Sequence, residues 1–261
     1  MEIGTVTSGT YSFSMTLMFD QLNNHEETLI ARLAEHPLFL KLERLDWQDL
    51  LGILIQRRFL SLSIVNVYEL VIDGLQDLRM KETVRSILGE EFPRSSSGRP
   101  LLSHRELLFQ DLISLGATRD QILKTPESIV TARVLSSSMH ELHECLHAKH
   151  PQLALLSFLR FWGEVLVGEE YSLLWTRLSE RLSSSASEGN HSKSQFYYYH
   201  KEHDRRRFAF GEEKLVGGLT HSDELAKHVK SLVADHDLLM LAMRLEETAT
   251  SLKLEFYDQF V

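Results

Sequence analysis

The chain has 261 residues, 43% of them hydrophobic and 25% charged, an ordinary globular composition that excludes wholesale disorder. Its 28 basic and 37 acidic side chains leave a formal charge of −9, which gives no electrostatic footprint for nucleic acid or an anionic membrane. The single cysteine, Cys145, excludes an internal disulfide framework and fits a reducing, cytoplasmic setting.

Residues 1–20 are rich in Ser and Thr, show no sustained period and lack a basic run followed by an apolar one. They read as a flexible N-terminal arm ahead of one helical domain, 21–261. Asp46 is placed to cap a helix running from Trp47 into the low seventies. Its apolar part, Leu50 to Ile72, is interrupted by Arg57, Arg58 and Glu69, so it predicts a buried bundle helix, not a membrane span. Met80 to Glu91 carries Val84, Ile87 and Leu88 on one side and stops before Pro93; Pro93 to Pro100 is a loop by composition. Leu101 to Leu115 ends at Gly116, a C-cap residue. Thr125 and Pro126 predict the start of a long helix, and Pro151 a break, after which helical spacing runs to about Leu182. Ser183 to Asn190 is a linker, Ser194 to about Phe210 a helix, and Ser222 opens a last helix reaching nearly to the C-terminus. No window alternates with period two, so the expected fold is all-α, a single bundle of seven or eight helices with no β-sheet.

Ionisable residues inside apolar helical stripes are site candidates, because burying a charge is costly unless it is paired or bound to metal. Glu91 continues the face of Val84, Ile87 and Leu88, and His104 follows past the loop. Glu169 shares a face with Trp162, Val165, Leu166 and Leu173; Glu170 is nearly as well placed, and periodicity does not separate the two. His200, Asp204 and Arg207 share one stripe, with His203 to one side, and imidazole with carboxylate suits iron or manganese. His140, His143 and His147 lie together on one flank without a carboxylate or cysteine at matching spacing, and read as a solvated face. The run Arg205-Arg206-Arg207 reads as a local helix face, not a nucleic-acid patch.

These residues resemble the haem-oxygenase-like superfamily in its own order. His36-Pro-Leu-Phe-Leu-Lys-Leu42 with Asp46, Gln56 and Arg57 is similar to its opening; Ile87-Leu-Gly-Glu-Glu91 and His104 look like its Glu-loop-His signature. Gly163 followed by Glu169 is similar to its mid-chain Gly–Glu helix, which favours Glu169 over Glu170. His200-x-x-x-Asp204 resembles its final His-x-x-x-Asp-x-x-His element. The branch most resembled is that of the di-iron oxidases and oxygenases, whose relatives include the chlamydial death-domain-associating protein; pyrroloquinoline-quinone synthase C shares the fold without that metal site. The resemblance implies Glu91, His104, Glu169, His200 and Asp204 as metal ligands, with Glu169 bridging two irons, or manganese in their place. The family's last histidine falls at Arg207, whose guanidinium has no lone pair for a metal. Its face predicts a head group turned into the pocket, pairing with Asp204 or anchoring a substrate anion.

The function implied is an O₂-dependent non-haem oxidase or oxygenase acting on a small organic acid or amine. Its partners would be that substrate and O₂, with a homodimer the one assembly left open. Two alternatives stand beside it: an enzyme of the pyrroloquinoline-quinone synthase type with one metal or none, and a non-catalytic ligand-binding or interaction protein. Haem ligation, for which His25 and His36 are available, is a further departure from the di-iron reading.

Overall fold

The run Leu153-Ala-Leu-Leu-Ser-Phe-Leu-Arg-Phe-Trp-Gly-Glu-Val-Leu166 is apolar but for Ser157, Arg160 and Glu164 and has no solvent-facing polar stripe of its own, as befits a helix at the centre of a bundle. In a computed structural model, which describes residues 8–93, 95–96, 99–100, 102–183, 194–210 and 218–261, every residue from 153 to 166 is buried. Helix α8 (Pro151–Leu159) passes through a π-helical turn (Arg160–Val165) into α9 (Leu166–Leu182). Around this axis are laid α1 (Ser8–Ala34), α3 (Trp47–Gly74), α7 (Ile129–His147), α11 (His221–Leu232) and α12 (His236–Asp258). Shorter helices close the bundle: α2 (Pro37–Leu40), α4 (Leu78–Leu88), α5 (His104–Ser114), α6 (Arg119–Lys124) and α10 (Tyr197–His203).

The expected all-α bundle is the observed architecture. The loop 93–100 contains one antiparallel pairing, Ser95–Ser96 with Arg99–Pro100, too short to amount to a sheet layer. Helix α3 is long and apolar enough to cross a membrane, yet half of its most apolar window is buried by the other helices, and Arg57 and Arg58 are buried with it. It is the core helix that its charges predict. Asp46 caps it by accepting from Gln48 N, and Gly116, at φ 105°, closes α5 in the left-handed region open to glycine.

Four boundaries differ from expectation. The N-terminal arm is helical from Ser8, because Met18, Phe19 and Leu22 continue the buried stripe of Leu29 and Leu33, and packing outweighs the poor helix propensity of its Ser and Thr. Thr125 ends α6 instead of opening α7; Gln56 selects Ser128 as the cap by accepting from its backbone N–H at 3.0 Å while donating to Pro126 O at 2.9 Å. The helix expected over Ser194 to Phe210 holds its period over Tyr197–His203 alone. The last helix is two, since Asp235 accepts from Leu238 N and starts α12 afresh. The linker expected at Ser183 to Asn190 lies, after Ser183, outside the described residues.

Gly168 fixes how closely the chain after α10 lies on α9. A Cβ there would fall on the backbone nitrogen and Cα of Arg205, atoms that cannot turn aside as a side chain can. Gly168→Ala is expected to cost about 1–3 kcal/mol by overpacking. Urea unfolding of the variant beside the wild type measures it.

Candidate metal centre

Glu91 ends a 3₁₀ turn (Gly89–Glu91) that extends α4. His104 is the first residue of α5, set there by a capping box in which Ser103 Oγ accepts from Glu106 N and Glu106 accepts from Ser103 N. The two side chains meet, His104 Nδ1 lying 3.0 Å from Glu91 Oε1. His200 and Asp204 come from α10 and its C-cap, with His200 Nδ1 donating to Asp204 Oδ2 at 2.7 Å. Glu164 comes from the π-helical turn, and His221 is the first residue of α11, behind a Thr220–Asp223 capping box.

These six donors form two groups, Glu91–His104–His200 and Glu164–Asp204–His221. Within each group one donor atom per residue lies within 4.8 Å of the others. His221 Nδ1 stands 3.5 Å from Glu164 Oε2 and 3.4 Å from Asp204 Oδ1, and the His104 and His200 rings are 4.7 Å apart. Tyr68 OH donates to Glu164; Tyr199 OH donates at 2.7 Å to Glu90, which also lies 3.4 Å from His221 Nε2.

Crowded carboxylates perturb one another here. Burial and the nearby Asp204 push Glu164 up to about 7. Burial alone would raise Asp204, but His200 and His221 hold it down at about 2. Burial opposes charge on both histidines, yet carboxylate partners raise His200 and His221 above the ordinary imidazole value. Among the described residues, His200 Nε2 and Asp204 Oδ1 are buried without a hydrogen-bond partner. The buried His200 Nε2 lone pair and Asp204 Oδ1, which faces His221 Nδ1 at 3.4 Å, are imidazole and carboxylate donors of the kind that fit divalent first-row metals well.

The short α10 is held by a clamp from α5. Asp111 Oδ2 accepts from Ser194 Oγ at 2.6 Å, Phe196 N at 3.1 Å and Tyr197 N at 3.2 Å, so a carboxylate on one helix caps another.

Of the expected ligands, Glu91, His104, His200 and Asp204 converge in one pocket. Glu169 does not. It is half-buried beside Arg205 and Arg206, which oppose the upward push of burial on its carboxyl. Glu170 is fully buried in a different role: Arg57 Nη2 and Lys253 Nζ donate to its Oε2 at 2.6 and 3.0 Å. The mid-chain carboxylate in the pocket is Glu164, which the helical wheel passes over because the π turn rotates everything before it relative to α9. A glutamate in the run 153–166 was itself the available signal. Arg207 points out of the pocket, its guanidinium near Glu202 O at 3.2 Å and Gly218 O. The stripe it was assigned to ends with α10 at His203, so spacing beyond Asp204 has no helical meaning. The histidine beside Asp204 is instead His221, seventeen residues later in the chain, with Nδ1 3.4 Å from Asp204 Oδ1. His140, His143 and His147 are exposed, and His203 is exposed and stacked on Tyr199.

No protein-family model and no curated protein matches the chain. Among solved structures, a CADD-like protein of unknown function from Nostoc punctiforme is similar, at a TM-score of 0.57 and 14% identity over 92% of this chain and 97% of that one. A likeness at this identity shows a shared fold.

Replacing each of the adjacent glutamates separates their roles. Glu170→Gln leaves Arg57 and Lys253 buried without a counter-charge and is expected to cost about 3–5 kcal/mol. Glu169→Gln is expected to cost less than about 1 kcal/mol. Chemical denaturation of both variants is the check. Lys253 is pushed down to about 7 by burial and by Arg57. Its unfolded form therefore binds more protons from about pH 7 upward, and its cost to folding is full below that and relieved towards the ordinary lysine value. Lys253→Met should accordingly stabilise the protein more at pH 6 than at pH 9.5, as read from urea midpoints at the two pH values.

Proposed function

We propose that this protein is a metal-dependent oxidoreductase of the cytoplasm that uses O₂ on a small organic acid or amine, with two metal ions held by Glu91, His104 and His200 and by Glu164, Asp204 and His221. The observation that carries this reading is the pair of three-donor groups joined through the His200–Asp204 hydrogen bond inside one buried pocket. Iron, or manganese, would supply O₂ activation and the one-electron steps that side chains alone do not provide.

The chain's own residues prepare the place. Asp204 fixes the tautomer of His200 by accepting from Nδ1, which leaves Nε2 as the donor atom. Tyr68 holds Glu164, and Glu90 with Tyr199 orients His221 from its far nitrogen. Leu60, Ile64, Ile87, Trp162 and Phe196 line the same pocket and keep bulk water from it. Its cavity, about 40 Å³, admits about three water molecules or a small substrate group. The buried His200 Nε2 without a hydrogen-bond partner supports a metal-holding pocket over a metal-free one.

Metal analysis of protein expressed with added iron, with a spectrum taken on mixing with O₂, tests the reading. The expected content is about two ions per chain in the wild type, with at least about one lost in Glu164→Ala and in His221→Ala. Glu169→Ala, and the triple change of His140, His143 and His147 to Gln, should leave it unchanged. Arg207→His should add none, because that side chain faces away. A wild type that takes up no iron or manganese refutes the proposal.

A further inference from the structure

The pocket has a second wall of a different chemistry. Arg57, Ser61, Tyr171 and Lys253 line it together with the metal-site residues, and none of the four has an expected role in holding metal. Arg57 and Lys253 are fully buried, and both reach the same oxygen of Glu170, at 2.6 and 3.0 Å. Glu170 itself does not line the cavity. The carboxylate thus sits behind the two cations and offsets one charge, so below about pH 7, where Lys253 carries its proton, two positive charges against one leave this wall a net +1. Arg57 Nη1 donates to Ser61 Oγ at 3.0 Å, which lies 3.0 Å from Tyr171 OH, and the Arg57 guanidinium stands 5.1 Å above the Tyr171 ring. The other face of this group adjoins the metal centre, with the Tyr171 and His200 rings 6.1 Å apart. Lys253 is further held over Trp162, at 4.9 Å, and among the described residues its ammonium has a single hydrogen bond, to Glu170. An ammonium has three protons to donate.

Such a wall is costly without a ligand. A buried cation wants a counter-charge, and one monovalent anion would make the wall neutral. On this wall an amine would meet two cations, whereas a carboxylate meets the donors of Arg57 and Lys253.

We infer that the cavity binds a small monocarboxylate, its anionic group held by Lys253 and Arg57 with the Ser61 and Tyr171 hydroxyls, and its carbon chain directed towards the metal centre. This rests on the proposed oxidoreductase reading and narrows its substrate from acid or amine to acid. The role expected of Arg207 as an anion anchor passes to residues on α3 and α12. The depressed proton affinity of Lys253 agrees with an ammonium that lacks sufficient counter-charge until an anion arrives.

Binding is measured on the metal-free protein, so the outcome does not depend on the metal reading, which is judged by metal content. Propionate and butyrate are titrated by ligand-observed NMR against propionamide and butyramide, which keep the shape and lose the charge. The acids are expected to bind at least about tenfold more tightly than the amides, and Lys253→Met to weaken the acids by at least about tenfold while leaving the amides unchanged. The acid-over-amide preference of the unaltered protein stands as a test even if that variant does not fold. Acids that bind no better than amides, or not at all, overturn the inference. So does a folded Lys253→Met protein that keeps its affinity for the acids.

Discussion

Three charges on the most buried helix govern the rest of the structure. Arg160, Glu164 and Glu170 lie on the continuous α8–α9 axis, each at most 3% exposed, and no charge is held in such a place without a partner. Each one recruits a different set of elements. Arg160 donates to Glu26 of α1 and, through Nε, to Ser222 O at the start of α11, while Arg206 reaches the same Glu26 at 2.7 Å. Glu164 gathers Tyr68 and, through His221, the start of α11. Glu170 gathers Arg57 of α3 and Lys253 of α12. The packing of the bundle around its axis is therefore also the placing of the pocket between two of these charges. Apolar contact supplies the driving force for collapse, but it is non-directional. The buried polar contacts say which helix goes where.

The two charged walls of the pocket follow from that arrangement. Glu164 and Glu170 are six residues apart along one axis, and the chain sets an anionic cluster around the first and a cationic one around the second. The cationic wall turns the carboxylate of a bound acid towards itself before any chemistry begins, which leaves the rest of the guest facing the candidate ligands.

The fold was legible in the sequence because helical period, proline breaks and caps are local signals. Trp47–Gly74 and the resumption after Pro151 were placed from them within a few residues. Boundaries failed where a distant side chain decides between rival caps, as Gln56 does between Thr125 and Ser128. In the site, Glu91, His104, His200 and Asp204 could be read because each breaks an apolar stripe or stands one turn from a partner. Glu164 could not be read from a wheel of uniform pitch, since the π turn changes the pitch just where it lies. His221 belongs to a different helix from His200 and Asp204, so no spacing rule within a single helix could reach it. Arg207 shows the opposite error, a period extended past the end of its helix.

Helix α5 bears on the pocket twice. It carries His104 at its first residue and Asp111 two turns later on the same side, so it bears one candidate ligand directly and, through the Asp111 clamp, seats the helix that bears two more. Helix α10, at seven residues, is too short to hold its shape alone and takes its orientation from that clamp. The two helices are thus geared together like a door and its frame piece. A shift of α5 would therefore move His104 and, through Asp111, disturb His200 and Asp204 relative to Glu91, Glu164 and His221, so both three-donor groups depend on how this one helix is seated.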